Sequence, residues 1–204
     1  MTARGTLDAL LERHGTTFAT EAGIRLRDAP QPLYQLLVLS HLLSARIRAQ
    51  IAVAAARALF AHRLRTPRHM ADATWQERVD ALGEGGYRRY DERTATQLGD
   101  GALLLLDAYG GDLRRLREEA DGKTEALRSA LRRFPGIGPA GADIFLREVQ
   151  TVWPGQAPYL DAKALQGAER LGLPTKPDRL AQLAEGRDPA VVAAALVRGA
   201  LGKG

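Results

Sequence analysis

Two stretches of the chain combine residue types that can do chemistry. The first is Leu131–Phe145, Leu-Arg-Arg-Phe-Pro-Gly-Ile-Gly-Pro-Ala-Gly-Ala-Asp-Ile-Phe. Gly136 and Gly138 bracket Ile137, and Pro139 follows. Glycines let a backbone come close to a phosphate. A helix starting at Pro139 then offers unpaired N–H groups, those after the hairpin at Ala140 and Gly141, and the positive end of its dipole. Ile137 is the apolar anchor of the turn. The second is Asp161, in Pro158-Tyr159-Leu160-Asp161-Ala162-Lys163-Ala164-Leu165, 25 residues beyond Gly136. An Asp directly before a helical run is an N-cap by type. A capping carboxylate is held rigidly and leaves one oxygen free for other work. On residue types alone, the two stretches are an inter-helix turn and a cap as readily as an anion site and a reactive carboxylate.

The elements that must position them are helical. Apolar spacing predicts helices over Leu7–Arg13, Leu33–Ala45, Ile47–His62, Thr74–Leu82, Arg88–Tyr109, Leu113–Ala120, Lys123–Arg133, Asp161–Leu171, Asp178–Glu185 and Pro189–Leu201. A further helix carries Ala142, Phe145, Leu146 and Val149 on one face. Leu33–Ala45 is apolar almost all round, so it is expected to be central and buried. Pro30 and Pro32 are expected to close the segment before it, and Thr66–Met70 to be a loop. Strand patterns are nearly absent, and short connections between amphipathic helices imply an all-α protein.

Composition narrows the chemistry. The 204 residues include no cysteine, which excludes disulfides, thiolate metal sites and cysteine nucleophiles. No run of about eighteen apolar residues offers a membrane span. A signal pattern is missing, so a cytoplasmic, nucleoid-associated location is the expectation. Net charge is +5, and 25 of the 29 basic residues are Arg; the four Lys are Lys123, Lys163, Lys176 and Lys203. An Arg excess suits phosphate contact, although a coding bias toward Ala, Leu and Arg would produce it too.

Phe134-Pro-Gly-Ile-Gly-Pro139 resembles the helix-hairpin-helix motif of the DNA glycosylase superfamily that includes endonuclease III. Asp161 stands where that superfamily carries an essential Asp. Leu42-Leu-Ser-Ala-Arg46 is similar to the family's Leu-Leu-Ser-Ala-Gln helix end. Gly86-Tyr-Arg-Arg-Tyr-Asp-Glu-Arg-Thr-Ala95 is similar to its Gly-x-Tyr-x-x-Lys-Ala segment. The resemblance implies two helical subdomains with a cleft between them: residues 31–150, with the hairpin motif at 124–149, and residues 1–30 plus 151–204. It implies a partner in double-stranded DNA bearing a damaged or mismatched base, bound by a monomer.

The resemblance also implies roles. Asp161 would stabilise positive charge on the sugar as the glycosidic bond breaks. Gly136, Ile137, Gly138, Ala140, Gly141 and Lys163 would contact DNA, with a monovalent cation on hairpin carbonyls, as in the relatives. Arg46 replaces the Gln that fills the gap left by the flipped base; otherwise it is a helix-end Arg facing solvent. His41 stands where the adenine glycosylases have a catalytic Glu and would protonate a departing purine; otherwise it is hydrogen-bonded in the packing. Tyr34, Trp153 and Tyr159 would stack on a base, or belong to the core. Two departures matter. The lyase members' Lys is Ala140 here, and Lys163 is turned about 200° from Asp161 on a helix. The four cysteines of the family's iron–sulfur cluster are missing. These departures imply a monofunctional glycosylase without the cluster and without a metal, or else a non-catalytic protein that binds DNA structure.

Overall fold

The computed structural model describes residues 2–201, so Lys203 lies outside the described residues. In chain order the helices are α1 (Ala3–His14), α2 (Phe18–Glu21), α3 (Pro30–Ser44), α4 (Ala49–Ala61), α5 (Pro67–Asp72), α6 (Trp75–Glu84) and α7 (Asp91–Tyr109). There follow α8 (Leu113–Glu119), α9 (Thr124–Leu131), α10 (Pro139–Val149), α11 (Ala162–Arg170), α12 (Pro177–Leu183) and α13 (Pro189–Ala200), with one 3₁₀ turn at Pro154–Gln156. The described residues contain no strand, so the architecture is all-α. No helix among them is long and apolar enough to cross a membrane.

The chain divides into two compact units. One is Ala19–Phe145; the other is the chain through Phe18 and from Leu146 onward. The divisions lie inside α2 and α10, whereas the sequence reading puts them near 30 and 150. Helical periodicity runs straight through α10 and gives no local sign of a boundary there.

In the first unit α3 is the centre. Leu33, Leu36, Leu39 and Leu42 are wholly buried, each contributing ~1.5–3 kcal/mol of transfer free energy. The helix starts three residues before its apolar run, at Pro30, with Ala29 as N-cap and both prolines in the first turn. The prolines therefore open α3 and do not merely close what precedes it, because a first-turn N–H has no partner to lose. Helix α4 packs on α3, and α6 on α4. At the α6 end a Cβ on Gly85 would lie 2.3 Å from Ala55 Cα, so only glycine permits that approach. Thr66–Met70 is not a loop. Thr66 Oγ1 accepts from His69 N–H at 3.2 Å and Pro67 opens α5.

Thr74 does cap α6, through a reciprocal capping box with Glu77. Buried Arg78 of α6 then binds α5 to α7. Its Nη1 donates to the Met70 and Ala73 carbonyls at 2.9 and 2.7 Å, and its Nε to Ala95 at 2.8 Å. Gly99 faces it; a Cβ there would lie 2.7 Å from Arg78 Nη2.

In the second unit α13 packs on α11 and α1. A Cβ on Gly167 of α11 would lie 1.8 Å from the Leu196 carbonyl oxygen, which makes this the closest helix contact of the unit among its glycines. Arg198 donates to the His14 and Thr16 carbonyls and sits 4.2 Å from the Phe18 ring centroid, fastening the end of α1.

Candidate functional site

The hairpin lies between α9 and α10. Phe134 is buried and stacks with Tyr109 at a centroid distance of 6.5 Å. Its carbonyl accepts from Ile137 N–H at 3.0 Å, closing the turn, and Ile137 is buried as its anchor. Gly136 has φ +82°, and a Cβ on it would lie 2.3 Å from His41 Nε2 and 2.7 Å from Gln97 Oε1. Glycine is thus required there twice, by backbone angle and by packing. Gly138 is different: its φ is ordinary, and a Cβ would meet nothing within 4 Å. Its open face is where an anion can come close to the backbone. Ala140 is exposed in the first turn of α10, where N–H groups lack intrahelical partners. Gly141 is buried and turned toward Ile137 and Ser44, so its small size serves packing.

His41 supports the hairpin from α3. It is buried, and its Nε2 lies 3.1 Å from Gln97 Oε1. A carboxamide oxygen only accepts, so Nε2 carries the proton. Burial, with a smaller contribution from the Arg93 charge, pushes its pKa down to about 4, although the Gln97 hydrogen bond acts the other way. At that pKa the imidazole is neutral near pH 7.

His41, Gln97 and Gly136 form one wall of a depression of about 320 Å³, completed by Arg46, Tyr90 and Arg93. Arg46 is exposed just past the end of α3. On the inner side of His41, Tyr34 lines a cavity of about 20 Å³, room for about one water. Tyr34 is 2% exposed, and burial raises its phenol pKa.

Asp161 belongs to the other unit. It N-caps α11, with Oδ1 accepting from Ala164 N–H at 3.2 Å. Its second oxygen is not free. Oδ2 takes a 2.8 Å hydrogen bond from Arg147 Nη1, and the two side chains are 8% and 6% exposed. This is a buried ion pair, and the Arg147 Nε–H beside it is buried without a partner among the described residues. The loop carrying Asp161 is clamped by Gln150, whose amide donates to the Tyr159 carbonyl at 3.0 Å and accepts from Tyr159 N–H at 2.6 Å. Tyr159 is half-buried, whereas Trp153 is 2% exposed. Neither Trp153 nor Tyr34 therefore has an open ring face for stacking. Lys163 is exposed, with Nζ 3.3 Å from Gln166 Oε1.

The structure thus gathers His41, Arg46 and Gly136 around one depression, and Asp161 and Tyr159 on one clamped loop. Gln97, Arg147 and Gln150 are the residues holding these groups that sequence reading passes over. For the last two a signal exists: Arg147, Glu148 and Gln150 continue the apolar run of Ile144–Leu146, and polar residues in such a run must find partners inside. Gln97 carries no comparable mark.

No family model and no curated protein sequence matches the chain. Among solved structures, the chain is similar to a non-covalent endonuclease III–DNA complex, with a TM-score of 0.57 and 19% identity over 97% of this chain and 85% of that one. A trapped covalent endonuclease III–DNA intermediate gives 0.54 and 19% over the same shares. A thermostable thymine-DNA glycosylase gives 0.56 and 17% over 95% and 88%. With the hairpin and the capping Asp in place, the chain shares the all-α fold of these endonuclease III and thymine-DNA glycosylase structures.

Proposed function

We propose that this protein is a DNA glycosylase that hydrolyses the bond between a damaged or mismatched base and its deoxyribose, without lyase activity. Its fold is that of endonuclease III and a thymine-DNA glycosylase, proteins solved on DNA or named for acting on it. The observation that carries the reading is Asp161: a carboxylate fixed by a helix N-terminus and a guanidinium, with a lone pair remaining on each oxygen.

The hairpin takes a phosphate at Gly138 and the α10 N–H groups, with a monovalent cation on hairpin carbonyls. Arg46 enters the gap left by the flipped base. The glycosidic C1′–N bond then breaks with its electron pair leaving on the base, which takes a proton from solvent. Asp161 stabilises the cationic sugar and accepts a proton from the water that adds to C1′. His41 is neutral and committed to Gln97, so it positions the hairpin and does not supply the base's proton. Ala140 offers no amine for a Schiff base. Lys163 contacts DNA phosphate. The protein works as a monomer with no iron–sulfur cluster.

A second reading follows from the same geometry. Arg147 neutralises much of the charge that Asp161 would present to a sugar, which favours a protein that binds DNA structure without excising a base. A panel of duplexes bearing uracil, hypoxanthine, alkylated purines, oxidised bases and mismatches, treated with alkali to reveal abasic sites, separates the two. Excision of any of them, lost in Asp161→Asn that circular dichroism shows to be folded, supports the glycosylase. Tight binding across the panel with no abasic site formed supports the second reading.

A further inference from the structure

A second concavity lies at the other end of α3 from His41 and Ser44. It has a volume of about 510 Å³, within the ~300–1,000 Å³ of small-ligand sites. Four arginines line it: Arg25 and Arg27 from the segment before α3, Arg57 from α4, and Arg65 just beyond α4. No carboxylate is among its lining residues, and none of the four is ion-paired among the described residues. Two are partly oriented by backbone: Arg65 Nε donates to the Phe60 carbonyl at 2.7 Å, and Arg57 Nη1 lies 3.5 Å from the Glu21 carbonyl. Four like charges around one hollow repel each other, and an anion relieves that repulsion.

A second observation points the same way. Gln35, on α3, lines the hollow and is only 8% exposed, yet its side-chain amide makes no hydrogen bond to the described residues. The amide is not sealed from solvent, so it faces the hollow with its donors and acceptor open to a ligand or water. Guanidiniums give paired N–H donors that match phosphoryl oxygens, and the amide adds a neutral donor.

We propose that this hollow is a second anion site, separate from the hairpin, that binds phosphoryl groups. Its ligand is either a free polyphosphate, as in a nucleotide, or a phosphate run of a nucleic-acid strand. The proposal does not depend on the glycosylase reading. The four arginines are exposed, so Arg27→Ala/Arg57→Ala is expected to fold as the parent does. Gln35→Met keeps the side chain's length, removes the amide and is expected to melt near the parent's temperature.

The test is titration calorimetry of the full chain with inorganic pyrophosphate and, separately, with single-stranded oligonucleotide, in the parent, Arg27→Ala/Arg57→Ala, Gln35→Met and Gly138→Asp. Pyrophosphate bound by the parent and by Gly138→Asp, but at least tenfold more weakly by the arginine double variant and Gln35→Met, establishes a free-phosphate site. No pyrophosphate binding, with oligonucleotide affinity falling tenfold in the double variant and its salt slope shallower by about 1–2, assigns the strand as ligand. Equal affinities in the parent and the double variant for both ligands overturn the proposal, as does pyrophosphate binding abolished by Gly138→Asp alone.

Discussion

Replacing Asp161 by Asn separates two roles that the carboxylate combines. As a cap the change costs little, because Asn caps about as well as Asp. As half of a buried ion pair it costs much more. Arg147 is 6% exposed, and its Nε already lacks a partner. An Asn carbonyl can serve the Ala164 N–H or the guanidinium, and its amide then faces a donor at the other. Breaking a buried pair strands a charge and costs about 3–5 kcal/mol. Against a total stability of about 5–15 kcal/mol, Asp161→Asn is expected to be folded but clearly weakened. Urea denaturation of Asp161→Asn, Arg147→Met and the double variant measures this directly. The double variant should recover most of the loss, because no unpaired charge remains in it, giving a coupling of about 2 kcal/mol or more. A single Asn variant within 1 kcal/mol of the parent, on the order of an ordinary cap effect, refutes the buried pair. Excision assays on Asp161→Asn are therefore to be run where circular dichroism shows the variant folded. Under those conditions a loss of about 3 kcal/mol in barrier, two orders of magnitude in rate, belongs to chemistry.

Three further outcomes follow from the geometry. His41 has a folded pKa pushed down to about 4 from 6.5, so the unfolded chain binds its proton first. The stabilisation is complete above pH about 6.5 and is lost as pH falls toward 4, by about 2–3 kcal/mol; unfolding free energies at pH 7.5 and 4.5 should differ by that much less in His41→Gln. Gly136→Ala should cost about 2 kcal/mol or more and displace His41, seen in its imidazole NMR shifts, whereas Gly138→Asp should leave stability near the parent's and weaken binding to every duplex alike. Borohydride should trap no covalent complex between the parent and excised DNA; an adduct lost in Lys163→Ala would reassign that residue as a nucleophile.

The elements with strong periodicity were readable from residues alone, and so was the hairpin, because Pro-Gly-Ile-Gly-Pro leaves the backbone few alternatives. Asp161 as the cap of α11 was readable too, since an N-cap is decided by neighbours in sequence. What escaped reading depends on partners far along the chain. Nothing near Gly136 says that its missing Cβ makes room for His41, 95 positions earlier in the sequence. Nothing near Asp161 says that its second oxygen faces an arginine on α10. The α5 helix escaped for a different reason: Thr66-Pro67 is a good start signal, but a helix of six residues is too short to show a period.

The arginine excess illustrates how one compositional fact divides once geometry is known. Read as a total, 25 arginines suggest a surface made for phosphate. Arg78 and Arg147 do the opposite, since both are buried, one holding three carbonyls and the other a carboxylate. Arg114, Arg128 and Arg133 pair with acids on neighbouring turns or helices. Charge available to a polyanion is what remains after such pairing, and it is not spread evenly. Arg46 and Arg93 flank the hairpin depression; Arg25, Arg27, Arg57 and Arg65 surround the hollow at the far end of α3. Two separate concentrations of unneutralised guanidinium on one helical unit each carry a distinct consequence. Neutralising the first should weaken duplex binding through the hairpin, and neutralising the second should leave that binding unchanged unless a strand reaches both.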